Sequence, residues 1–136
     1  MAITLEQPAR ARLISLDERE FLGAMLRYTS LDPLAVHMDF PPEVSLDGVE
    51  ITWTFYRDLL WEGLTTPAGD GDVRIWPCGR ANTMLGFYGL DGMALVQFDT
   101  DDLRRFLLRT YAAVMPGQEE VGPAIDRCLS ALVGEV

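Results

Sequence analysis

The spacing of apolar residues changes abruptly in this chain from every second position to the spacing of a helix, and this constrains the fold more than any other feature. Val49, Ile51, Trp53 and Phe55 alternate with polar residues, the pattern of a strand with one buried face. Over residues 56–64 the apolar positions then recur at helical spacing. The same change is repeated in the second half. The sequence therefore predicts strand runs that each end in a helix.

The predicted elements are four strands and a helix, then three strands and a helix, then a terminal helix. The strands are predicted at 11–16, 21–29, 36–40, 49–55, 73–77, 84–88 and 93–98, and the helices at 56–64, 100–114 and from about Pro123. Grouped strands that end in helices favour an α+β fold with antiparallel sheets over a doubly wound parallel fold. With no long linker, we expect residues 1–136 to form one domain of two β-rich units.

Charge argues against nucleic acid as a partner. The chain has 11 basic and 21 acidic residues, a formal charge of −10, and every basic residue is arginine. Binding to nucleic acid without sequence preference depends on cations that displace counterions from phosphates. Between Arg27 and Arg57 lie five acidic residues and no basic one. The missing lysine also removes the phosphate-binding lysine of P-loops and any Schiff-base lysine.

The residues available for metal binding and nucleophilic catalysis are few. Cys78 and Cys128 are fifty positions apart, and His37 is the only histidine. Because zinc sites need three or four clustered ligands, we expect no metal and no cofactor. Reduced, packed cysteines are the interpretation we favour over a disulfide. No GxSxG motif is present. The sequence therefore predicts that the protein is not an enzyme.

Three acidic pairs have structural interpretations. Asp101 and Asp102 suit the positive end of a helix that Asp99 or Thr100 would cap. The pair at 119–120 is interpreted as a polar tail to that helix. Asp70 and Asp72, which alternate with Gly69 and Gly71, fit a turn better than a metal or acid–base site. Neighbouring carboxylates in a sequence are not by themselves a site.

The sequence also predicts where the protein acts and whether it associates. Glu6, Arg10 and Arg12 interrupt any signal-peptide apolar region, and no apolar run approaches the length of a membrane span. We therefore expect a cytoplasmic protein with no membrane insertion. Aromatic residues are dense for a small domain, and aromatics and arginine are enriched at interfaces, which favours a homo-oligomer. The aromatics concerned are Trp53, Phe55, Tyr56, Trp61, Trp76, Phe87 and Tyr88.

Several motifs, in this order and spacing, resemble the SsgA-like proteins of actinomycetes. They are DPLAVH at 32–37, WTFYRDLLWEGLTTP at 53–67, GDGDVRIWP at 69–77, FLLRT at 106–110 and VMPGQE at 114–119. The similarity covers about two thirds of the chain, from about residue 31 to 119. Within the family the chain is most similar to the SsgB type.

The resemblance implies a non-enzymatic protein of sporulation-specific cell division that acts at the septum. Proteins of the SsgB type are understood to recruit or position FtsZ and to promote its polymerisation, with an SsgA-type protein as helper. The family fold is similar to the whirly single-stranded nucleic-acid-binding domains and assembles as a homotrimer. The alternative is a whirly-like module that binds single-stranded nucleic acid or a small ligand through an aromatic pocket.

Twelve motif residues are the candidates for interaction or for maintaining the fold. They are Trp53, Phe55, Arg57, Asp58, Gly63, Gly71, Asp72, Arg74, Trp76, Pro77, Arg109 and Thr110. Trp53 and Phe55 alternate towards the predicted core. Gly71 fits a backbone turn. None of the twelve by itself identifies a surface that contacts FtsZ.

Two pairs among these residues keep two interpretations each. Arg57 and Asp58 are either a pair at the start of the short helix, which we favour, or contact residues. Arg74 and Trp76 share a strand face, which is compatible with cation–π stacking or with a subunit contact.

Overall fold

The computed structural model describes residues 2–14, 19–42, 50–89 and 92–119. Four strands and a helix are followed by three strands and a helix, as the spacing of apolar residues predicts. The elements are β1 Thr4–Ile14, β2 Arg19–Thr29, β3 Ala35–Phe40, β4 Ile51–Tyr56, α1 Arg57–Gly63, β5 Val73–Cys78, β6 Asn82–Gly89, β7 Gly92–Asp99 and α2 Thr100–Ala113. The terminal helix predicted from Pro123 lies outside the described residues.

All seven strands belong to one antiparallel sheet with the order β4-β3-β2-β1-β7-β6-β5. The α+β class and the antiparallel pairing are confirmed. The prediction of more than one sheet is wrong for these strands, because β1 pairs with β2 on one side and with β7 on the other. The two halves of the chain therefore share one sheet.

Strand β1 begins seven residues earlier than predicted, at Thr4. Its first half contains Pro8, which cannot donate a hydrogen bond to a neighbouring strand. Pairing with β7 starts only at Ala11, so among the described strands β2 alone pairs with β1 at Pro8. A proline is tolerated where a strand has one free side, which explains why β1 extends through it.

The sheet is strongly curved, and Phe87 shows how far. Strands β4 and β6 are five positions apart, which in a flat sheet would separate them by about 24 Å. The ring of Phe87 on β6 nevertheless lies 5.0 Å from that of Trp53 on β4 and 5.4 Å from that of Phe40 on β3. The sheet therefore curls into an open half-barrel with its core on the concave face.

Helix α2 fills this concave face. Leu103, Phe106 and Leu107 are fully buried in the same cluster as the inward side chains of the strands. Gln7 on β1 donates to the carbonyl of Asp102 (3.0 Å), which fixes the start of the helix against the sheet. The apolar residues that alternate along the strands and those that recur at helical spacing in α2 thus face the same core.

The start of α2 differs from the prediction. Asp99 occupies the N-cap position, but its side chain makes no capping hydrogen bond. The hydroxyl of Thr100 instead lies 2.8 Å from that of Thr83 on β6, where both side chains are buried. Asp101 and Asp102 occupy the first turn, where carboxylates favour the helix dipole.

Candidate interaction surfaces

A buried arginine joins α1 to the end of α2. Arg57 is the first residue of α1 and is fully buried. Its Nη1 donates to the carbonyl of Thr110 (2.9 Å), and its Nη2 donates to the carbonyl of Val114 (2.7 Å) and to Oε2 of Glu119 (2.8 Å). We call Arg57 with these three partners the Arg57 clasp. It holds the chain after α2 against the core.

Two tyrosine rings cover the clasp. The guanidinium carbon lies 4.3 Å from the centre of the Tyr111 ring and 5.3 Å from that of Tyr28. Aromatic faces favour a desolvated cation at these distances. The Tyr111 hydroxyl donates to Asp58 (2.7 Å), and Trp61 packs edge-on against the Tyr111 ring at 5.7 Å. Arg57 and Asp58 therefore both make contacts within the chain.

Glu119 is not the polar tail expected for the 119–120 pair, because its side chain is only 11% exposed and pairs with Arg57. The hydrogen bond from Arg57 lowers the pKa of the Glu119 carboxyl, and burial opposes this. Burial, together with the hydrogen bond to Asp58, raises the pKa of Tyr111. Both terminal nitrogens of Arg57 are thus hydrogen-bonded, whereas its Nε is buried without a partner among the described residues.

Gly63 allows α1 to approach β5 closely. A Cβ atom at this position would lie 2.3 Å from Cγ2 of Ile75 on β5. Gly69 has a φ of +91°, a conformation that favours glycine, and a Cβ there would lie 2.4 Å from the Val73 carbonyl oxygen. Gly71, which we expected to serve the turn, lies in open space without a positive φ.

One edge of the sheet, β5, is partly closed. Both backbone hydrogen bonds of Ile75 that point away from β6 are made to Ala68, at 2.8 and 2.9 Å. Because backbone groups alternate along a strand, Pro77 faces the same edge as Ile75, and it has no N–H to donate. The family-motif proline therefore interrupts the free edge of β5.

A groove lies between β4 and the loop before β5. It has a volume of about 670 Å³ and brings together Phe55, Gly71 and Asp72, three of the sequence candidates. Tyr56, at 66% exposure, stands on its β4 side. We call this hollow the β4-edge groove.

The convex face of the sheet carries arginines stacked on aromatic rings. The guanidinium of Arg74 lies 4.5 Å from the centre of the Tyr88 ring, so the cation–π contact expected on this face is made with Tyr88. The Tyr88 ring packs over Gly86, where a Cβ atom would lie 2.9 Å from it. The side chain of Trp76 lies beside the same position. The convex face is therefore apolar and cationic near β5.

A second group of this kind lies on β1 and β2. Arg10 and Arg12 place their guanidinium carbons 4.2 and 4.8 Å from the centre of the Phe21 ring, which is 55% exposed. Neither arginine pairs with a carboxylate among the described residues. We call these three residues the Arg–Phe patch. Alternation alone places them on one face, but only the β1–β2 register brings them together.

The far side of the convex face is polar and internally paired. Arg27 donates through Nε and Nη2 to both oxygens of Asp39 (2.6 and 2.8 Å), and Thr52 donates to the same carboxylate. The hydrogen bond with Arg27 lowers the pKa of Asp39. Nδ1 of His37, the only histidine, lies 2.8 Å from the Thr54 hydroxyl. This network fixes β2, β3 and β4 to one another.

The remaining candidates have separate positions. Thr110 lies in the clasp, whereas the exposed Arg109 donates to Gln7 on β1 (3.1 Å). The twelve candidates therefore do not form one site. Sequence reasoning missed Tyr28 and Tyr111 as partners of Arg57, and it missed the Arg–Phe patch. For Tyr111 the available signal was its place among the apolar positions that recur at helical spacing in α2. That spacing does not reveal a cation above the ring.

Comparison with known proteins decides the family. Residues 22–119 match the family model described as Streptomyces sporulation and cell division protein, SsgA. The chain belongs to the SsgA family. It is 39% identical to the sporulation-specific cell division protein SsgB of Salinispora tropica, over 93% of this chain and 94% of that protein. With the SsgB of Streptomyces coelicolor it shares 38% identity over 99% of both chains.

Solved structures of SsgA-like proteins share the fold. The SsgA-like sporulation-specific cell division protein of Thermobifida fusca aligns with a TM-score of 0.80 and 30% identity, over 96% of both chains. A structure described by mutations in SsgB that correlate to longitudinal cell division during sporulation of Streptomyces coelicolor aligns with a TM-score of 0.77 and 36% identity. It covers 88% of this chain and 95% of that one. The resemblance to the family, and to SsgB within it, is confirmed.

Two further observations concern metals and membranes. Within residues 2–14, 19–42, 50–89 and 92–119, no three His, Cys, Asp or Glu side chains are grouped so that they could hold a metal ion. Neither α1 nor α2, the helices of the described part of the chain, has the length and apolar character to cross a membrane. Cys78 is exposed, and Cys128 lies outside the described residues.

Proposed function

We propose that this SsgA-family protein is a non-enzymatic regulator of sporulation-specific cell division that recruits or positions FtsZ at septum sites and promotes its polymerisation. It acts in the cytoplasm as a single SsgA-like domain, without a cofactor, with an SsgA-type protein as helper. The observation that carries the proposal is the match along nearly the whole chain to proteins named sporulation-specific cell division protein SsgB.

The surface of the molecule supports a role in protein contact. Phe21, Tyr56, Met93 and Met115 are each more than half exposed. Exposed aromatic and apolar side chains beside arginines are characteristic of protein interfaces. We propose that part of this surface is buried in a homotrimer. Light scattering coupled to gel filtration should then give three times the mass of the chain.

Pelleting and light scattering with purified FtsZ test recruitment. We expect this protein to co-sediment with FtsZ polymers and to increase their mass in the presence of GTP. An unrelated protein of similar negative charge serves as control, because crowding and charge alone should not change polymer mass. Absence of binding and of any change in polymer mass at every ratio would contradict direct recruitment.

A whirly-like function in binding single-stranded nucleic acid is the second candidate, and the Arg–Phe patch favours it. Stacking of bases on an exposed ring flanked by cations is how such proteins bind single strands. The charge of −10 opposes it. Titration of labelled single-stranded DNA at low salt is the test. Micromolar binding that Phe21→Ala abolishes, and that Arg105→Ala on α2 leaves intact, would favour this candidate over the first.

A further inference from the structure

Strand β4 has a free hydrogen-bonding edge. The N–H of Arg57 donates to the Leu34 carbonyl (2.8 Å), so the backbone groups of Arg57 face β3. Because these groups alternate along a strand, those of every second residue before Arg57 on β4 face β3 as well. Those of Thr52 and Thr54 therefore face away from the sheet. Among the described residues, no backbone group pairs with them. An exposed row of this kind is a template for an added strand.

The β4-edge groove lies along this free edge. Thr54 and Tyr56 line one side, and the loop over residues 69–72 lines the other. Its volume of about 670 Å³ is within the range of pockets that bind small ligands. Phe55 and Leu59 supply an apolar floor. The groove therefore offers backbone hydrogen bonds, room and apolar surface together.

Carboxylates give the groove its charge. Asp32, Asp70 and Asp72 line it, and no arginine does. Asp70 and Asp72 form no ion pair with any described residue, and Asp32 has only His37 at 3.6 Å. The nearby Arg74 turns away, since its Nε donates to the Gly71 carbonyl (3.2 Å) and its guanidinium stacks on Tyr88. The occupant that complements this charge is cationic.

We propose that the β4-edge groove binds an extended, basic peptide segment of a partner protein, which adds to β4 as an eighth strand. Its backbone pairs with Thr52 and Thr54, which gives affinity without regard to sequence. Because side chains alternate along a strand, basic residues face Asp70 and Asp72 while apolar residues rest on Phe55 and Leu59. Tyr56 covers the bound segment.

This inference goes beyond recruitment of FtsZ and does not depend on it. It assigns a ligand chemistry to a surface that contains the motif residues Phe55, Gly71 and Asp72. The same chemistry separates the groove from the Arg–Phe patch, because the two arginines of the patch would repel a basic segment. Binding of a model peptide can therefore be measured on the purified protein without any division protein.

A labelled peptide of alternating arginine and valine is the probe, and the same peptide with glutamate for arginine is its control. We expect saturable binding of the basic peptide in fluorescence anisotropy and none of the acidic one. Thr54→Pro removes the outward N–H and should weaken binding about tenfold or more. Thr54→Val keeps that N–H and loses the hydroxyl contact with His37, so a weaker binding by Thr54→Pro than by Thr54→Val assigns the difference to the backbone.

A second pair of variants tests charge without touching the strand. Asp70→Asn with Asp72→Asn should weaken binding about tenfold or more, because two unpaired carboxylates facing the peptide are removed. Glu6→Gln with Asp101→Asn changes the net charge equally, outside the groove lining, and should have little effect. If both double variants weaken binding alike, attraction is non-specific and the proposal is wrong. It is also wrong if the basic peptide does not bind.

A second copy of this chain is the competing occupant. Sedimentation distinguishes it, because Thr54→Pro and the Asp70, Asp72 double variant would then dissociate the oligomer while their controls would not. That result would overturn the proposal of a foreign peptide. An unchanged oligomer together with weakened peptide binding would support it.

Discussion

At the scale of single residues, Arg57 shows that the sequence can predict where a motif residue lies without predicting which residues it contacts. Its place at the change from strand to helix is readable from the sequence. Its partners are not, because Thr110, Val114 and Glu119 lie more than fifty residues away and are brought close only by the fold. Its side chain is completely buried among these partners.

Removing the Arg57 side chain should destabilise the protein severely. Arg57→Ala leaves the Glu119 carboxylate and two carbonyl groups without their donor, which costs about 3–5 kcal/mol in the free energy of unfolding. Urea denaturation followed by tryptophan fluorescence measures the change. Arg74→Ala, at an exposed arginine stacked on Tyr88, should cost no more than about 1 kcal/mol. Equal losses in the two variants would contradict the clasp.

The Glu119 carboxyl should make stability depend on acid. Its pKa in the folded protein is lower than the ordinary value of 4.5, because Arg57 stabilises the charged form. The pairing is therefore complete above that value and is lost as pH falls through the lower folded pKa. The free energy of unfolding of the parent should fall towards that of Glu119→Gln between about pH 5 and pH 3.

The control for this acid dependence is Glu62→Gln on the exposed face of α1. Its curve of stability against pH should run parallel to that of the parent protein. If the Glu119→Gln curve were parallel too, the carboxylate would contribute nothing through its charge.

At the scale of elements, alternation and helical spacing predicted each strand and both helices of the described chain. The bounds that failed have physical reasons. Pro8 and the polar residues around it hid the first half of β1, and a proline is acceptable there only because β7 begins to pair at Ala11. Thr100 does not cap α2 because its hydroxyl is buried against that of Thr83, and Asp99 occupies the N-cap position without a side-chain hydrogen bond. Both depend on neighbours that the local sequence does not reveal.

The contact between α1 and β5 predicts opposite outcomes for two motif glycines. Gly63→Ala forces a methyl group to 2.3 Å from Ile75 and should destabilise the protein by about 1–3 kcal/mol. Gly71→Ala meets nothing within 4 Å and needs no unusual backbone, so stability should stay the same or rise by up to about 1 kcal/mol. Thermal denaturation of both variants checks this, and comparable losses would refute it.

At the scale of the whole molecule, the sequence predicted an α+β class but not the curvature of the sheet. Strand patterns specify which face is buried, and they do not state how far a sheet curls. Here Phe87 meets aromatic rings from β3 and β4 across the concave face. The β4-edge groove depends on that curvature, because it brings β4 close to the loop before β5. No reading of local spacing could have located it.

Phe87 should accordingly contribute far more than an exposed phenylalanine. Phe87→Ala removes a ring that contacts Phe40, Trp53 and Phe55, with an expected cost of about 3–5 kcal/mol. Phe21→Ala, at a ring 55% exposed, should cost about 1 kcal/mol or less. Urea denaturation measures both. Similar costs would mean that the curled sheet is not held by its aromatic cluster.

The two edge strands of the sheet, β4 and β5, differ in how freely they can pair, so added strands cannot continue indefinitely. Copies stacked head to tail would need β4 of one to pair along β5 of the next, and a contact of that kind either closes into a ring or propagates into a fibre. The backbone groups of Ile75 on β5 already pair with Ala68, and Pro77 has no N–H to donate. Strand β5 therefore cannot supply its side of this contact. One strand can join at β4, and growth stops there. A protein built this way can hold a partner segment through its backbone without seeding its own aggregation.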